Sequence, residues 1–359
     1  MINNSFPFFA GQRTDKAFGS SSVLSPLPIK TMVPKVKSCD ILVSKTDAYI
    51  ELGGAGGMIF QSQMLWFGLL IGFFIFFLPL YIMFDGFTGL YLGAYKEVLV
   101  NGEWVQQFRT YDFVMSLLAL LTPFGGGLFI LFKGVQSTRR KLSRTLPFRF
   151  HRQRREVMMS RWNEETKQTE IKMFPWEDIC AMVGQGSAMS TGGIISSASL
   201  LIAANDNEDY GHFWSSIQTG AMNKIHAAGM WEMIRSFMED GPDSIGEPSP
   251  LTLEELIEQH CASRDMKVEE FTTATKVWWY LNGTMLGIWR INHETQKMKQ
   301  NANTFTEVTQ WSQPLPKAQW AKPSEALQYY NKMLAENEYS QGQTIFSIGD
   351  IREKYGDVR

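Results

Sequence analysis

Five histidines, three cysteines and a dense run of arginines are the residues here with chemistry to offer, and their spacing decides what kind. His151, His212, His226, His260 and His293 stand in five different local contexts, none in an HExxH helix or a calcium-loop pattern. Cys39, Cys180 and Cys261 are far apart with no CxxC pair, which argues against a disulfide framework or structural zinc and fits reduced thiols. Glu177-Asp178 and Glu254-Glu255 are adjacent carboxylates whose side chains diverge on any regular element, so they read as solvated surface. Asp206, Glu208 and Asp209 make an acidic turn, a loop tip or a partner contact. The stretch GQGSAMSTGG, Gly184 to Gly193, is glycine-rich but lacks the Lys-Ser/Thr ending of a phosphate loop and a helix signal after it. It reads as a strand connection. With no nucleophile elbow, Walker lysine or dinucleotide fingerprint, the expectation is no catalytic residue, no cofactor and no metal.

What remains is charge. Lys133, Arg139, Arg140, Lys141, Arg144, Arg149, Arg152, Arg154 and Arg155 fall in one stretch that holds no Asp or Glu. Such a cluster suits anionic partners, yet the whole chain carries a net charge of −2, which speaks against a nucleic-acid binder. Its position names the better partner. It begins where the apolar run FVMSLLALLTPFGGGLFILF, Phe113 to Phe132, stops.

That run carries no charge, and neither does MLWFGLLIGFFIFFLPLYIMF, Met64 to Phe84. As helices each reaches about 30 Å, the thickness of a bilayer's hydrocarbon core. The expected organisation is a cytosolic segment 1–57, spans at 58–84 and 113–132, and a periplasmic loop 85–112. That loop has only Lys96 and Arg109 against four acids, so the positive-inside bias places both termini in the cytoplasm. The cations are then a stop-transfer flank that also reaches lipid headgroups. Gly68 and Gly72 form GxxxG, and Gly125, Gly126 and Gly127 follow Pro123; small residues of this kind let helices pack on each other or on a partner. Neither run holds an acid, Lys, Arg or His for a proton or ion path.

The rest reads as α+β. Residues 1–37, rich in Ser, Pro and Gly, are expected to be loosely ordered, with a hairpin at 39–54. After the second run, alternation at 148–151, 157–162 and 171–173, then at 197–206 and 212–217, predicts strands. Ala227, Met230, Trp231, Ile234, Phe237 and Met238 share a helical face that Gly241-Pro242 ends. The module 133–245, closed by a helix at 223–240, fits a pleckstrin-homology-like half-open barrel or an unrelated sheet with a covering helix. In the mixed, helical region 246–359, Thr252 and Glu255 form a capping box and Ser324 caps a last helix. Val277 to Trp289 is apolar but too short to span, and a core segment, an interfacial helix and a short third span all remain open.

The motifs DAYIELGG (Asp47 to Gly54), LPFRFHRQRREV (Leu146 to Val157), FPWEDICAMV (Phe174 to Val183) and FMEDGPDS (Phe237 to Ser244), with the paired apolar runs, resemble a bacterial membrane-protein family known only as a domain of unknown function. Its members tend to be encoded near type VI secretion toxins and their immunity proteins. The resemblance implies an uncharacterised inner-membrane interaction protein, an immunity or accessory factor, whose partner is a toxin or a secretion component. It carries no catalytic residues to transfer. A membrane-tethered lipid or protein scaffold is the second expectation, an enzyme at the membrane surface a third and weaker one. The partners expected are membrane lipids, a protein and, as an open option, a second copy.

Overall fold

The computed structural model describes residues 8–16, 19–36, 41–53, 58–190, 193–205, 213–221, 223–263 and 266–358. The strands are β1 (Arg13–Lys16), β2 (Gly19–Ser25), β3 (Leu42–Lys45), β4 (Tyr49–Leu52), β5 (Tyr95–Val100) and β6 (Glu103–Phe108). After a long helix come β7 (Phe148–His151), β8 (Glu156–Asn163), β9 (Gln168–Pro175), β10 (Cys180–Ser190), β11 (Gly193–Asn205) and β12 (Phe213–Ala221). The helices up to that point are α1 (Met58–Ile71), continued by a π-helical turn into α2 (Leu78–Met83), then α3 (Gly86–Gly93) and α4 (Thr110–Arg144). Those that follow are α5 (Lys224–Asp240), α6 (Leu253–Ser263), α7 (Thr273–Leu281), α8 (Thr284–Ala302), α9 (Thr306–Trp311), α10 (Glu325–Asn337) and α11 (Ile351–Tyr355). Two units divide the chain, one of residues 1–57, 141–271 and 288–359, the other of 58–140 and 272–287.

The larger unit is built on two antiparallel five-stranded sheets, ordered β1-β2-β10-β11-β12 and β3-β4-β7-β8-β9. One apolar core holds them together. Trp176 sits with its ring 5.8 Å from Phe150 and 5.1 Å from Trp231, and Leu24, Ile50, Leu200 and Phe237 are buried in the same cluster. Asn223 caps α5 by accepting the His226 N–H at 2.8 Å, and Gly241, at φ +107°, ends it before Pro242. The helical-face pattern of α5 understates its burial. Every residue from Ala227 to Met238 is buried, Glu232 and Arg235 included. The reason is a third layer: residues 31–36 lie on the helix, and Tyr330, Leu334, Ile345, Ile348 and Ile351 complete the cluster.

Three expectations change as a result. Residues 19–36 are not loosely ordered, for β2 pairs along β10 from Gly19↔Gly186 to Ser25↔Ala181, and Leu24 and Ile29 are fully buried. Glycine-rich residues 184–190 are strand, paired with β11 as far as Ser190↔Gly193. The C-terminal region is no appendage to a module ending at 245, because its helices contribute to the central core. The acidic turn Asp206, Glu208 and Asp209 lies outside the described residues, as do His212 and Cys39.

In the smaller unit, α1 to α2 covers Met58–Met83 and α4 covers 35 residues, both long and apolar enough to cross a membrane. No residue in the most apolar window of the first is buried, and Leu120 is the one buried residue described in α4. Pro79 and Pro123 lie inside these helices. Proline has no N–H to give, and the π-helical turn Gly72–Phe77 immediately precedes the short helix that holds Pro79. Residues 85–112 are not an open loop: α3 leads into the β5–β6 hairpin, whose Asn101 and Gly102 take φ +55° and +88°, the primed turn that fits strand twist. Nor is the segment from Val277 a core, since Val277, Trp278, Tyr280 and Leu281 are all exposed.

Gly229 is where the third layer touches α5 most closely. The Val36 N–H donates to its carbonyl at 3.2 Å, and a Cβ added there would lie 2.6 Å from the Pro34 carbonyl oxygen. Alanine favours helix by about 1 kcal/mol, but a backbone clash cannot be relieved by a rotamer. Gly229→Ala is therefore expected to lower stability by about 1–3 kcal/mol in denaturant unfolding of the full chain.

Candidate functional site

The nine cations separate into two groups once folded. Lys133, Arg139, Arg140 and Lys141 lie on exposed turns of α4, with Lys133 5.2 Å from the Phe129 ring. The helix simply continues past the apolar run, so the flank is helical. Its last turn is tied to the second sheet: the Thr169 hydroxyl donates to the Arg144 carbonyl at 2.8 Å, and the Arg144 guanidinium sits 4.4 Å from the Trp162 ring.

Arg149, Arg152, Arg154 and Arg155, expected as part of the lipid-facing flank, hold segments of the protein itself. The alternation of β7 puts Phe148 and Phe150 into the main core and turns Arg149 and His151 to the opposite face. A strand with one polar face is expected to leave it in solvent. Here all four residues are buried, because α9 and the chain after it cover that face: Leu146, Met158 and Val308 make a second small core beneath Phe305 and Trp311.

Arg149 is 1% exposed and donates through Nε to Glu51 Oε1 at 3.1 Å, through Nη2 to the same oxygen, and through Nη1 to the Ser312 hydroxyl. Its guanidinium also lies 4.4 Å from the Tyr49 ring. His151 packs edge-on to Trp311 at 5.1 Å, and the Arg154 Nε–H donates to the Trp311 carbonyl at 2.9 Å. Trp311 in turn donates its indole N–H to Glu156 at 2.7 Å. Gln153 accepts the Leu315 N–H at 2.6 Å, and Arg152 stacks 5.1 Å from Trp320. Nearly every polar side chain of RFHRQRRE thus holds part of 311–321.

The last arginine turns the other way. Arg155, at φ +53°, makes a bidentate pair with Glu239, both contacts at 2.8 Å, and reaches Glu177 at 2.9 Å. Glu239 also accepts the Trp176 indole N–H at 2.9 Å, and Glu177 accepts the Ser324 N–H at 3.0 Å. Burial alone works against the Arg155 cation, but the hydrogen bond and charge of Glu239, then Glu177, hold its pKa above the ordinary arginine value. Glu177 is therefore an interior ion-pair partner, not solvated surface. A third pair, Arg235 with Glu232, is buried on α5, where Glu232 also accepts the Thr31 hydroxyl at 2.7 Å.

The four sequence motifs meet in these networks. Glu51 of DAYIELGG joins Arg149, and Trp176-Glu177 and Glu239 join Arg155. Such an arrangement fixes charge inside the fold. Burial, aided by the nearby Arg154 and Arg149 charges, lowers the His151 pKa to about 4, against the hydrogen bond to the Gln313 carbonyl. Burial pushes the Cys180 thiol up to about 12, so it is inert packing and not a nucleophile. Among the described residues, no group of three or more His, Cys, Asp or Glu side chains could hold a metal ion. Sequence reasoning missed Glu51, Glu239, Tyr49 and Ser312. Only Glu51 carried a signal, as a lone carboxylate between Ile50 and Leu52 in a strand.

In the smaller unit, Gly68 and Gly72 face α4: a Cβ at Gly68 would come 3.0 Å from Leu131, and one at Gly72 3.2 Å from Phe124. Gly125, Gly126 and Gly127 border open space. The glycines that read alike in sequence therefore divide by role.

Together these features define an α+β protein bearing two helices long and apolar enough to cross a membrane. The chain belongs to the family of unknown function DUF6708, whose model matches residues 128–322. The match takes in the cationic run, α5 and the covering segment 305–321, and begins after the first apolar helix. No curated protein matches the chain, and no solved structure does.

Removing one partner of a buried ion pair strands the other's charge, so Glu51→Gln is expected to cost about 3–5 kcal/mol in denaturant unfolding. Pairing Glu51→Leu with Arg149→Met should recover most of that loss, since apolar replacement removes both desolvation penalties. His151 gives a pH signature. Its folded pKa of about 4 lies below the ordinary 6.5, so the unfolded chain takes up the proton first. Stability is then full above the ordinary value and falls as pH drops towards 4. The comparison of wild type with His151→Phe in denaturant unfolding at several pH values should isolate that slope.

Proposed function

We propose that this chain is a membrane-anchored interaction protein, with α1–α2 and α4 crossing a bilayer as a helical hairpin that tethers the α+β module. One observation carries the reading: the two long helices keep their apolar side chains unburied, with Phe74 58% and Ile130 72% exposed. A soluble chain does not leave a continuous oily surface of that size to water. The core helix of a soluble protein passes the same length test but would be buried. A signal sequence would not follow strands that belong to the module, as β1 to β4 do. The ends also suit a bilayer. Lys133, Arg139, Arg140 and Lys141 follow the apolar stretch of α4, and Tyr91, Tyr95, Phe108 and Phe113 gather in ring contact at the far end. This polarity supports a cytoplasmic module and a β5–β6 hairpin outside.

The module fits a pleckstrin-homology-like plan. Strands β4-β7-β8-β9 lie in one sheet and β10-β11-β12 in another, with α5 packed on β10, β11 and β12, and with β1, β2 and β3 added at the edges. The resemblance to membrane proteins encoded beside type VI secretion toxins supports immunity or an accessory role in a bacterial inner membrane. The chain would act by binding a toxin or secretion component. The lipid-scaffold alternative draws less support, because Arg149 and Arg155 are buried in ion pairs and Arg152 and Arg154 contact Trp320 and Trp311.

The chain is expected to stay in the pellet when bacterial membranes are extracted at alkaline pH, and to need detergent for release. Recovery as a soluble, monodisperse species without detergent would remove the anchor. Expression in a sensitive bacterium should restore growth against the toxin encoded alongside, and absence of both rescue and binding would remove the immunity reading.

A further inference from the structure

The apolar side chains of α7 are largely exposed. None of its residues is buried, and Val277 is 51%, Trp278 52%, Tyr280 56% and Leu281 58% exposed. Its other side is closely fitted. The Trp278 ring lies 5.9 Å from Phe67 of α1, and Gln63 donates its side-chain N–H to the Thr284 hydroxyl at 3.0 Å. Gly283, at φ +86°, and Gly287 admit the α1 backbone: a Cβ would fall 2.9 Å from the Ser62 carbonyl oxygen at the first and 2.7 Å from the Ile59 Cα at the second. The turn between α7 and α8 is polar yet buried, and it satisfies itself. Asn282 Oδ1 accepts both the Thr284 N–H at 3.1 Å and its hydroxyl at 2.7 Å.

Resting on the membrane reading above, we propose that residues 273–287 form a third bilayer-contacting element, a short helical hairpin lying in the leaflet that surrounds the N-terminal end of α1. Continuity selects lipid as the occupant. Trp278 of α7 packs beside Phe67 of α1, the helix read above as entering the bilayer, and Phe60 and Met64, one turn apart on that helix, are exposed as well. Length selects the depth: a helix as short as α7 reaches about 14 Å, far short of a crossing. Composition agrees, because Trp and Tyr favour the interface and the long stem of Lys276 can carry its charge out to water. The internally bonded turn is what a non-helical backbone needs at that depth, where no water completes its hydrogen bonds. The element thus acts as a collar on the first span and joins a distant part of the sequence to the anchor.

Spin labels test it in the full chain, reconstituted in phosphatidylcholine–phosphatidylglycerol vesicles with Cys39→Ser and the buried Cys180 and Cys261 left in place. Labels at Tyr280→Cys and, separately, Leu281→Cys are compared with Phe74→Cys in the first span and Thr166→Cys at an exposed turn of the module. Oxygen over nickel-chelate accessibility is expected to be several-fold higher at 280 and 281 than at 166, and lower than at 74. Values at 280 and 281 equal to that at 166, with 74 still lipid-like, would overturn the collar and leave the anchor standing. A water-accessible label at 74 would overturn the anchor itself. Protection of 280 and 281 from both reagents would give the face to a protein partner or a second copy and overturn the lipid assignment.

Discussion

A guanidinium removed from water has to meet its counter-charge or the fold fails, and in this chain Arg149 meets that demand by joining three separate regions. Glu51 comes from before the first apolar helix, Arg149 from just after the second, and Ser312 from near the end. The module can therefore be complete only when the chain has passed through both long helices and returned. Arg155 imposes the same demand with Glu177 and Glu239, so that the turn after β7, the turn after β9 and α5 are held to one point. Buried pairs of this kind add little to stability against an apolar alternative, but they tolerate no wrong partner. That is a statement about specificity. Segments far apart in sequence have one way to close.

The same demand explains why the cationic run looked like a single object and is two. Between Lys133 and Lys141 the side chains radiate from a helix, where any polar neighbour will do. From Arg149 onwards the backbone is a strand and a tight turn, so side chains alternate between two buried faces and each needs an assigned partner. Secondary structure changes at Leu146, whose N–H donates to Ser160 at 2.8 Å. The charge pattern does not change there, and composition alone gives no sign of the boundary.

Much of the rest follows this rule about local and non-local information. The apolar helices were legible because a long absence of charge needs no tertiary context, and α5 because its face, cap and Gly241-Pro242 stop are all local. The strands at 148–151 and 156–163 announced themselves by alternation. What alternation cannot give is a second covering layer, which is why Arg149, His151 and the polar side of α5 read as exposed. The stretch 19–36 fails for a related reason: its Ser and Gly content describes a poor core former, yet β2 draws order from pairing with β10, which lies beyond both apolar helices in sequence. Asn101-Gly102 is a different case, a local turn signal between alternating runs that a loop reading passes over.

On the proposed membrane reading, two uncharged helices limit what can pass between the two sides. With no ionisable side chain but the Tyr81 phenol between Met64 and Phe84, and none between Phe113 and Phe132, neither protons nor ions have a relay within the hairpin. Gly68 against Leu131 and Gly72 against Phe124 couple the two helices along the hairpin. The helix α4 is continuous to Arg144, whose carbonyl is hydrogen-bonded to Thr169 of β9. The networks around Arg149 and Arg155 tie the sheet that contains β9 to α5 and to the segment 311–321.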